Sequence, residues 1–202
     1  MASTDSILAT YFQSSLLDKQ EGLNWYANAH SICQSISNEY DIPLNVVVGV
    51  MAALSPNNKW ARNVEDTELF IRAYCLDVAY PKVCTFHDNK HKAIRILECT
   101  SNEEEILRIL SGNKTKAFYS CIAHSGDTDL ACIDGHAYNI YNGTVTNLKE
   151  VPSISDKAFR TIQEAYMDAA EIISNVTGQH HTAAQVQAIT WCCYRRLHKN
   201  II

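Results

Sequence analysis

The stretch from Pro43 to Asn58 limits what this chain can become. Val46–Leu54 is its longest apolar run, and a run of that length is far too short to cross a bilayer, which takes about 20 apolar residues as a helix. Proline is tolerated in the first turn of a helix, where the N–H groups lack partners. Pro43 therefore predicts the start of a strongly apolar helix that continues through Leu54, and Ser55-Pro56-Asn57-Asn58 predicts its end.

The pattern elsewhere is also helical. Only 7 Gly and 4 Pro interrupt 202 residues, and alternating β-branched runs are scarce. Trp25, Tyr26, Ala29, Cys33 and Ile36 recur three and four apart, predicting a helix over about 22–40. Others are expected at 5–17, 63–74, 89–97, 102–110, 115–124, 134–141, 155–175 and 182–198, with Ser155 and Thr182 as N-caps of the last two. The acidic run Glu103–Glu105 suits a helix start, where the dipole favours negative charge. The expected fold is all-α, with little or no sheet. At 47% hydrophobic and 19% charged, the chain can bury a sizeable core and suits one domain, or two small lobes sharing a core.

A formal net charge of −5 argues against a general basic coat for nucleic acid. The basic residues are nevertheless clustered. Lys82, Lys90, Lys92, Arg95, Lys114 and Lys116 gather mid-chain with His87 and His91, and Arg195, Arg196, His198 and Lys199 lie near the end. Such a local face can hold DNA with modest, salt-sensitive affinity. The opening MASTDSILATYFQSS lacks the basic start and long apolar core of a secretory signal. The expectation is a soluble, intracellular protein without a membrane partner. Its eight cysteines are expected as free thiols, and the N-x-T sites at Asn113, Asn142 and Asn175 without glycan.

Two residues point to chemistry. Residues 110–119 read LSGNKTKAFY and residues 131–143 read ACIDGHAYNIYNG, so Lys116 follows a Gly-containing turn and Asp134 ends a short apolar stretch. A turn that offers N–H groups to a phosphate, then a Lys, then an Asp, is what excising a base from DNA requires. A flipped base also leaves a hole to fill, and Asn57 or Asn58, on the loop after the apolar helix, suits that task. Each residue has an ordinary reading beside this one. Lys116 fits an exposed helix start and Asp134 an N-cap. Trp60 fits an anchor for its loop as well as a platform for a base, and Lys90–Arg95 a solvated face as well as a DNA-backbone contact. His136, two positions from Asp134, has no third ligand at metal spacing. Cys192-Cys193 reads as core and His180-His181 as loop.

These motifs resemble those of the helix-hairpin-helix (HhH-GPD) DNA glycosylase superfamily, the group containing endonuclease III and the 8-oxoguanine glycosylases. Leu110-Ser111-Gly112-Asn113-Lys114-Thr115-Lys116-Ala117 is similar to the family's L-P-G-V-G-x-K-x-A hairpin, and Ile133-Asp134-Gly135-His136 to its V-D-x-H. Ala53-Leu54-Ser55-Pro56-Asn57 resembles its L-L-S-x-Q segment, whose Gln fills the gap left by the flipped base. Asn89-Lys90-His91-Lys92-Ala93 resembles its N-x-K-A stretch. The match covers about 43–143 in the family's order. The combination is also similar to phage and bacterial proteins of this general type, which adds no activity. Two positions depart: Ser111 stands for the family's Pro and Lys114 for its second Gly.

The resemblance implies two packed helical lobes within a single globular domain over 1–202. Residues 43–143 would carry the glycosylase-like core, with the hairpin at about 107–124, and 1–42 and 144–202 would complete the second lobe. It implies a monomer that excises a damaged or modified base from double-stranded DNA, with AP lyase activity. Lys116 would attack the sugar C1′ and form a Schiff base, which needs a neutral amine and hence a largely apolar pocket. Asp134 would stabilise positive charge developing on the sugar, or activate the nucleophile. Gly112, Asn113, Lys114, Thr115, Asn57, Asn58, Lys90 and Lys92 would contact DNA, and Trp60 and His136 would line the pocket. No cofactor is expected, because endonuclease III-like members hold an iron–sulfur cluster on four closely spaced C-terminal Cys and only Cys192-Cys193 lie in that region here. Two alternatives stand beside this reading: a non-catalytic helix-hairpin-helix DNA-binding module, and a related enzyme acting on a hypermodified base or a nucleotide.

Overall fold

Helix is the one regular element among the described residues, 3–199 of the computed structural model. Ten helices follow one another there: α1 (Thr4–Gln13), α2 (Leu16–Tyr40), α3 (Leu44–Leu54), α4 (Trp60–Cys75), α5 (His87–Leu97), α6 (Glu103–Leu110), α7 (Asn113–Ala123), α8 (Gly135–Asn142), α9 (Asp156–Thr177) and α10 (Ala183–Leu197). The protein is all-α. None of these helices is long and apolar enough to cross a membrane. All eight cysteines are thiols outside any disulfide.

The chain divides into two compact units, one of residues 28–123 and one of residues up to 27 together with those from 124 onwards. The divisions fall inside α2 and at the end of α7.

In the 28–123 unit the apolar run becomes the central helix. Every residue of α3 from Val46 to Leu54 is buried, with α4, α5, α6 and α7 packed around it. Pro43 caps it in extended backbone, its carbonyl accepting the N–H groups of Val46 and Val47. Gly49 lets α5 and α6 come close, since a Cβ there would stand 2.9 Å from Ile96 Cγ2 and 2.8 Å from Ile106 Cγ2. On α2, His30 Nδ1–H donates to the Ile122 carbonyl of α7 at 2.9 Å.

The other unit is built on α1, α8, α9 and α10 with the first turns of α2. Ile7, Tyr11, Ile133, Ile140, Ile162, Tyr166, Ile173 and Ile189 are among the residues forming one buried cluster. Gly22 is where α2 meets α10: a Cβ there would fall inside the van der Waals envelope of the Ile189 backbone, so no side chain fits. Ser155 and Thr182 cap α9 and α10 as the sequence predicts, Thr182 in a reciprocal capping box with Gln185.

The first helix ends earlier than its pattern suggests, at Gln13, and the second begins at Leu16 instead of about residue 22. The cause is another reciprocal cap. Asp18 Oδ2 accepts the Ser15 N–H and hydroxyl, both at 2.8 Å, while the Asp18 N–H donates to Ser15 Oγ at 3.1 Å. Asp18 also ties α2 to α10, accepting Arg196 Nε at 2.9 Å and pairing with its Nη2 at 2.8 Å. Burial pushes the Asp18 carboxyl up, but the Arg196 and Ser15 hydrogen bonds and the Arg196 charge outweigh it, and its pKa lies below the usual value. A depressed carboxylate stabilises the fold above its unfolded pKa, and that stability drains away as pH falls through the folded pKa. Asp18→Asn is therefore expected to cost about 2 kcal/mol at pH 7, the scale of a charged hydrogen bond lost, and progressively less in acid. Urea denaturation at pH 7 and at pH 3 checks this.

Candidate active site

Lys116 and Asp134 lie in different units, Lys116 with residues 28–123 and Asp134 with the other. The surroundings of each are described in turn.

Asp134 is the N-cap of α8. The buried residues Ala131, Cys132 and Ile133 deliver it to the helix start, where its Oδ1 accepts the Ala137 N–H at 2.9 Å. The other oxygen is engaged too: His136 Nδ1 lies 2.9 Å from Oδ2. A carboxylate oxygen only accepts, so Nδ1 carries the hydrogen and the Nε2 lone pair of a neutral ring is left pointing away. The Asp134 and His136 side chains are 20% and 13% exposed, drier than a surface pair.

The His136 ring is held by α10. Its centroid lies 6.0 Å from Trp191 and 6.1 Å from Tyr194, both near-perpendicular. Tyr194 is itself fixed, its hydroxyl accepting from Asn139 Nδ2 at 3.1 Å and donating to the Thr144 carbonyl at 3.2 Å. Trp191 packs edge-on against Trp25, with the Arg195 guanidinium 4.4 Å above its ring. Below, the buried Tyr166 hydroxyl feels the Asp134 charge. Burial raises its pKa, Thr190 lowers it and Asp134 raises it further, so it stays protonated. Trp191 and Tyr194, three apart on one face of α10, are the signal in the sequence for this support, and both lie outside the motifs.

Lys116 is the fourth residue of α7, which begins at Asn113 rather than Thr115. Its N–H bonds the Gly112 carbonyl at 3.0 Å and its side chain is half-buried. Asn113, Lys114 and Thr115 make up the turn before it, with Thr115 Oγ1 donating to the Gly112 carbonyl at 2.9 Å. The tight turn is centred on Ser111, not on Gly112. Ser111 has φ 60 and ψ −47, and the Gly112 N–H donates to the Leu110 carbonyl at 2.7 Å. That is a γ-turn of the strained kind. Gly112 has no positive φ, and a Cβ on it would meet only Thr115 Oγ1 at 3.4 Å.

The other candidates separate cleanly. Lys92 Nζ donates to the Leu110 carbonyl at 3.1 Å and Ser111 Oγ at 3.0 Å, clamping the strained turn. Lys90 Nζ donates to the Tyr80 and Pro81 carbonyls at 3.4 and 3.2 Å and sits 5.7 Å over the Phe70 ring. Both ammonium groups thus hold their own unit together. Asn57 is exposed, in left-handed backbone at φ 57, at the tip of the loop between α3 and α4. Asn58 turns inward instead, its amide donating to Asp66 Oδ2 at 3.0 Å. Trp60 opens α4, half-buried. His181 is buried in its loop, Nε2 bonded to the Tyr11 hydroxyl at 3.0 Å. Cys192 and Cys193 are buried on α10, and burial pushes the Cys192 thiol up to about 12.

An all-helical chain of two compact units, with an aspartate capping a helix and gripping a histidine held by aromatic side chains, is the class of protein these features define. The chain belongs to the family of unknown function DUF7178, which spans its residues 1–198. No curated protein and no solved structure matches it.

Proposed function

We propose that this protein is a DNA glycosylase of the helix-hairpin-helix type, cleaving the N-glycosidic bond of a damaged or modified base in duplex DNA. The observation that carries the reading is Asp134, whose carboxylate is fixed at the N-terminus of α8 by Ala137 N–H and His136, with α6, a tight turn and α7 preceding it in the chain. A carboxylate held rigidly by its own unit is preorganised to stabilise the cationic sugar that forms as the base departs. Lys116, half-buried in the first turn of α7, supplies the amine that joins C1′ as a Schiff base, from which β-elimination nicks the strand. Asn57, not Asn58, fills the gap left by the flipped base, because Asn58 is tied to Asp66. Lys90 and Lys92 are given no phosphate to bind, since their ammonium groups already serve carbonyls.

The test is borohydride trapping on duplexes carrying an abasic site or a damaged base. A covalent adduct with the wild type, lost in Lys116→Gln, is the expected result. Neither adduct nor base release across the set would overturn the reading. Because the net charge is −5, DNA affinity is expected to be modest and to drop steeply between about 50 and 200 mM salt, which fluorescence anisotropy measures.

The strained turn at Ser111, with a lysine where the family has its second Gly, favours one rival: a helix-hairpin-helix module that binds DNA without catalysis. It predicts binding that survives loss of both Lys116 and Asp134 with no base released by the wild type.

A further inference from the structure

Resting on the glycosylase reading, we infer that His136 is the general base of base excision and that Asp134 acts through it. The geometry is particular. Asp134 has one oxygen committed to the Ala137 N–H and the other to His136 Nδ1, each at 2.9 Å, so neither is left whole to take a proton from water. The proton acceptor that remains is His136 Nε2, for which no hydrogen-bond partner is present among the described residues. Asp134 selects the tautomer that leaves Nε2 with its lone pair, and it stabilises the imidazolium once the proton arrives. Trp191 and Tyr194 hold the ring edge-on, and Tyr194 is anchored in turn by Asn139 and Thr144, so the imidazole has one orientation.

The step balances without any further reactant. A water oxygen bonds to C1′ as the C1′–N bond breaks, and that bond's electron pair leaves with the base. The water's proton passes to Nε2 and then to the departed base or to solvent. Excision in this scheme is hydrolytic and leaves an abasic sugar. His136 takes the proton in this scheme, and Asp134 positions the ring while its negative charge steadies the sugar cation.

The test follows single-turnover base release from duplexes carrying uracil, hypoxanthine or 8-oxoguanine. For the substrate that the wild type cleaves, His136→Gln is expected to release base about 100-fold more slowly or worse, the usual contribution of a general base. His136→Gly is expected to regain activity when imidazole is added, which a residue serving only as a strut would not do. Thermal unfolding of both variants confirms that they fold. Release by His136→Gln within about threefold of wild type, or a slow His136→Gly that imidazole does not rescue, overturns the dyad while leaving the glycosylase reading intact. If the wild type releases none of the bases, the glycosylase reading fails first and the dyad fails with it.

Discussion

Asp134→Asn is expected to slow base release by about 1,000-fold while changing stability by less than about 1 kcal/mol. The two effects separate because Asp134 has two jobs on two oxygens. Asn is as good an N-cap as Asp, and its Oδ1 can still accept the Ala137 N–H that the native carboxylate accepts at 2.9 Å. The second position changes sign. Where Oδ2 accepts from His136 Nδ1, an amide NH₂ can only donate. The ring must respond by taking its hydrogen on Nε2, the wrong tautomer for accepting one from water. The negative charge that would steady the imidazolium and the sugar cation is lost as well. Asp134→Ala removes the cap too, and is expected to add about 1 kcal/mol of destabilisation to the same catalytic loss. Single-turnover kinetics with urea denaturation of both variants reads the two jobs independently. An Asn variant that releases base like the wild type would reduce Asp134 to a cap.

Much of this fold is legible in the sequence because helices announce their ends. Pro43, Asn102, Ser155 and Thr182 stand where the helices start, for reasons each side chain carries with it. The Ser15–Asp18 cap is harder to see, since Ser14-Ser15 does not break the apolar spacing that continues into Leu16 and Leu17. The site is legible as positions and not as partnerships. Residues two apart do not face one another on a helix, so periodicity gives no hint that His136 bonds Asp134. They meet because Asp134 sits outside α8, in extended backbone at φ −101, and its side chain folds back over the first turn. Asn57 and Asn58 are identical as letters, and what divides them is a backbone φ of 57 at one and a carboxylate eight residues on reaching the other. The basic run on α5 shows where charge enters the chain, but Lys90 and Lys92 are long enough to choose among carbonyls supplied by Tyr80, Pro81 and Leu110, which only the tertiary fold brings near.

The largest effect on stability is expected from Asp66→Ala, at about 3–4 kcal/mol. The Asp66 side chain is 0% exposed, and it gathers three separate pieces of the 28–123 unit. Arg62 Nε donates to it at 2.8 Å from one turn earlier on α4, the Asn58 amide at 3.0 Å from the loop after α3, and the Cys84 N–H at 3.1 Å from the segment leading to α5. Removing the carboxylate has unequal consequences for these donors. Arg62 is 47% exposed and can turn to water, so its loss is small. The part-buried Asn58 amide keeps only its long 3.4 Å bond to the Leu54 carbonyl and the Cys84 N–H loses its acceptor, and those weakened donors carry most of the cost. Asp66→Asn keeps the volume but presents an NH₂ to donors, and about 2 kcal/mol is expected from it. The same carboxylate pins the base of the loop whose tip is Asn57. Partial destabilisation by Asp66→Asn is therefore expected to speed proteolytic cleavage at residues 55–59 before the unit as a whole unfolds. Urea denaturation and limited proteolysis measure the two effects, and a loss below about 1 kcal/mol for Asp66→Ala would mean that water replaces the carboxylate at all three donors.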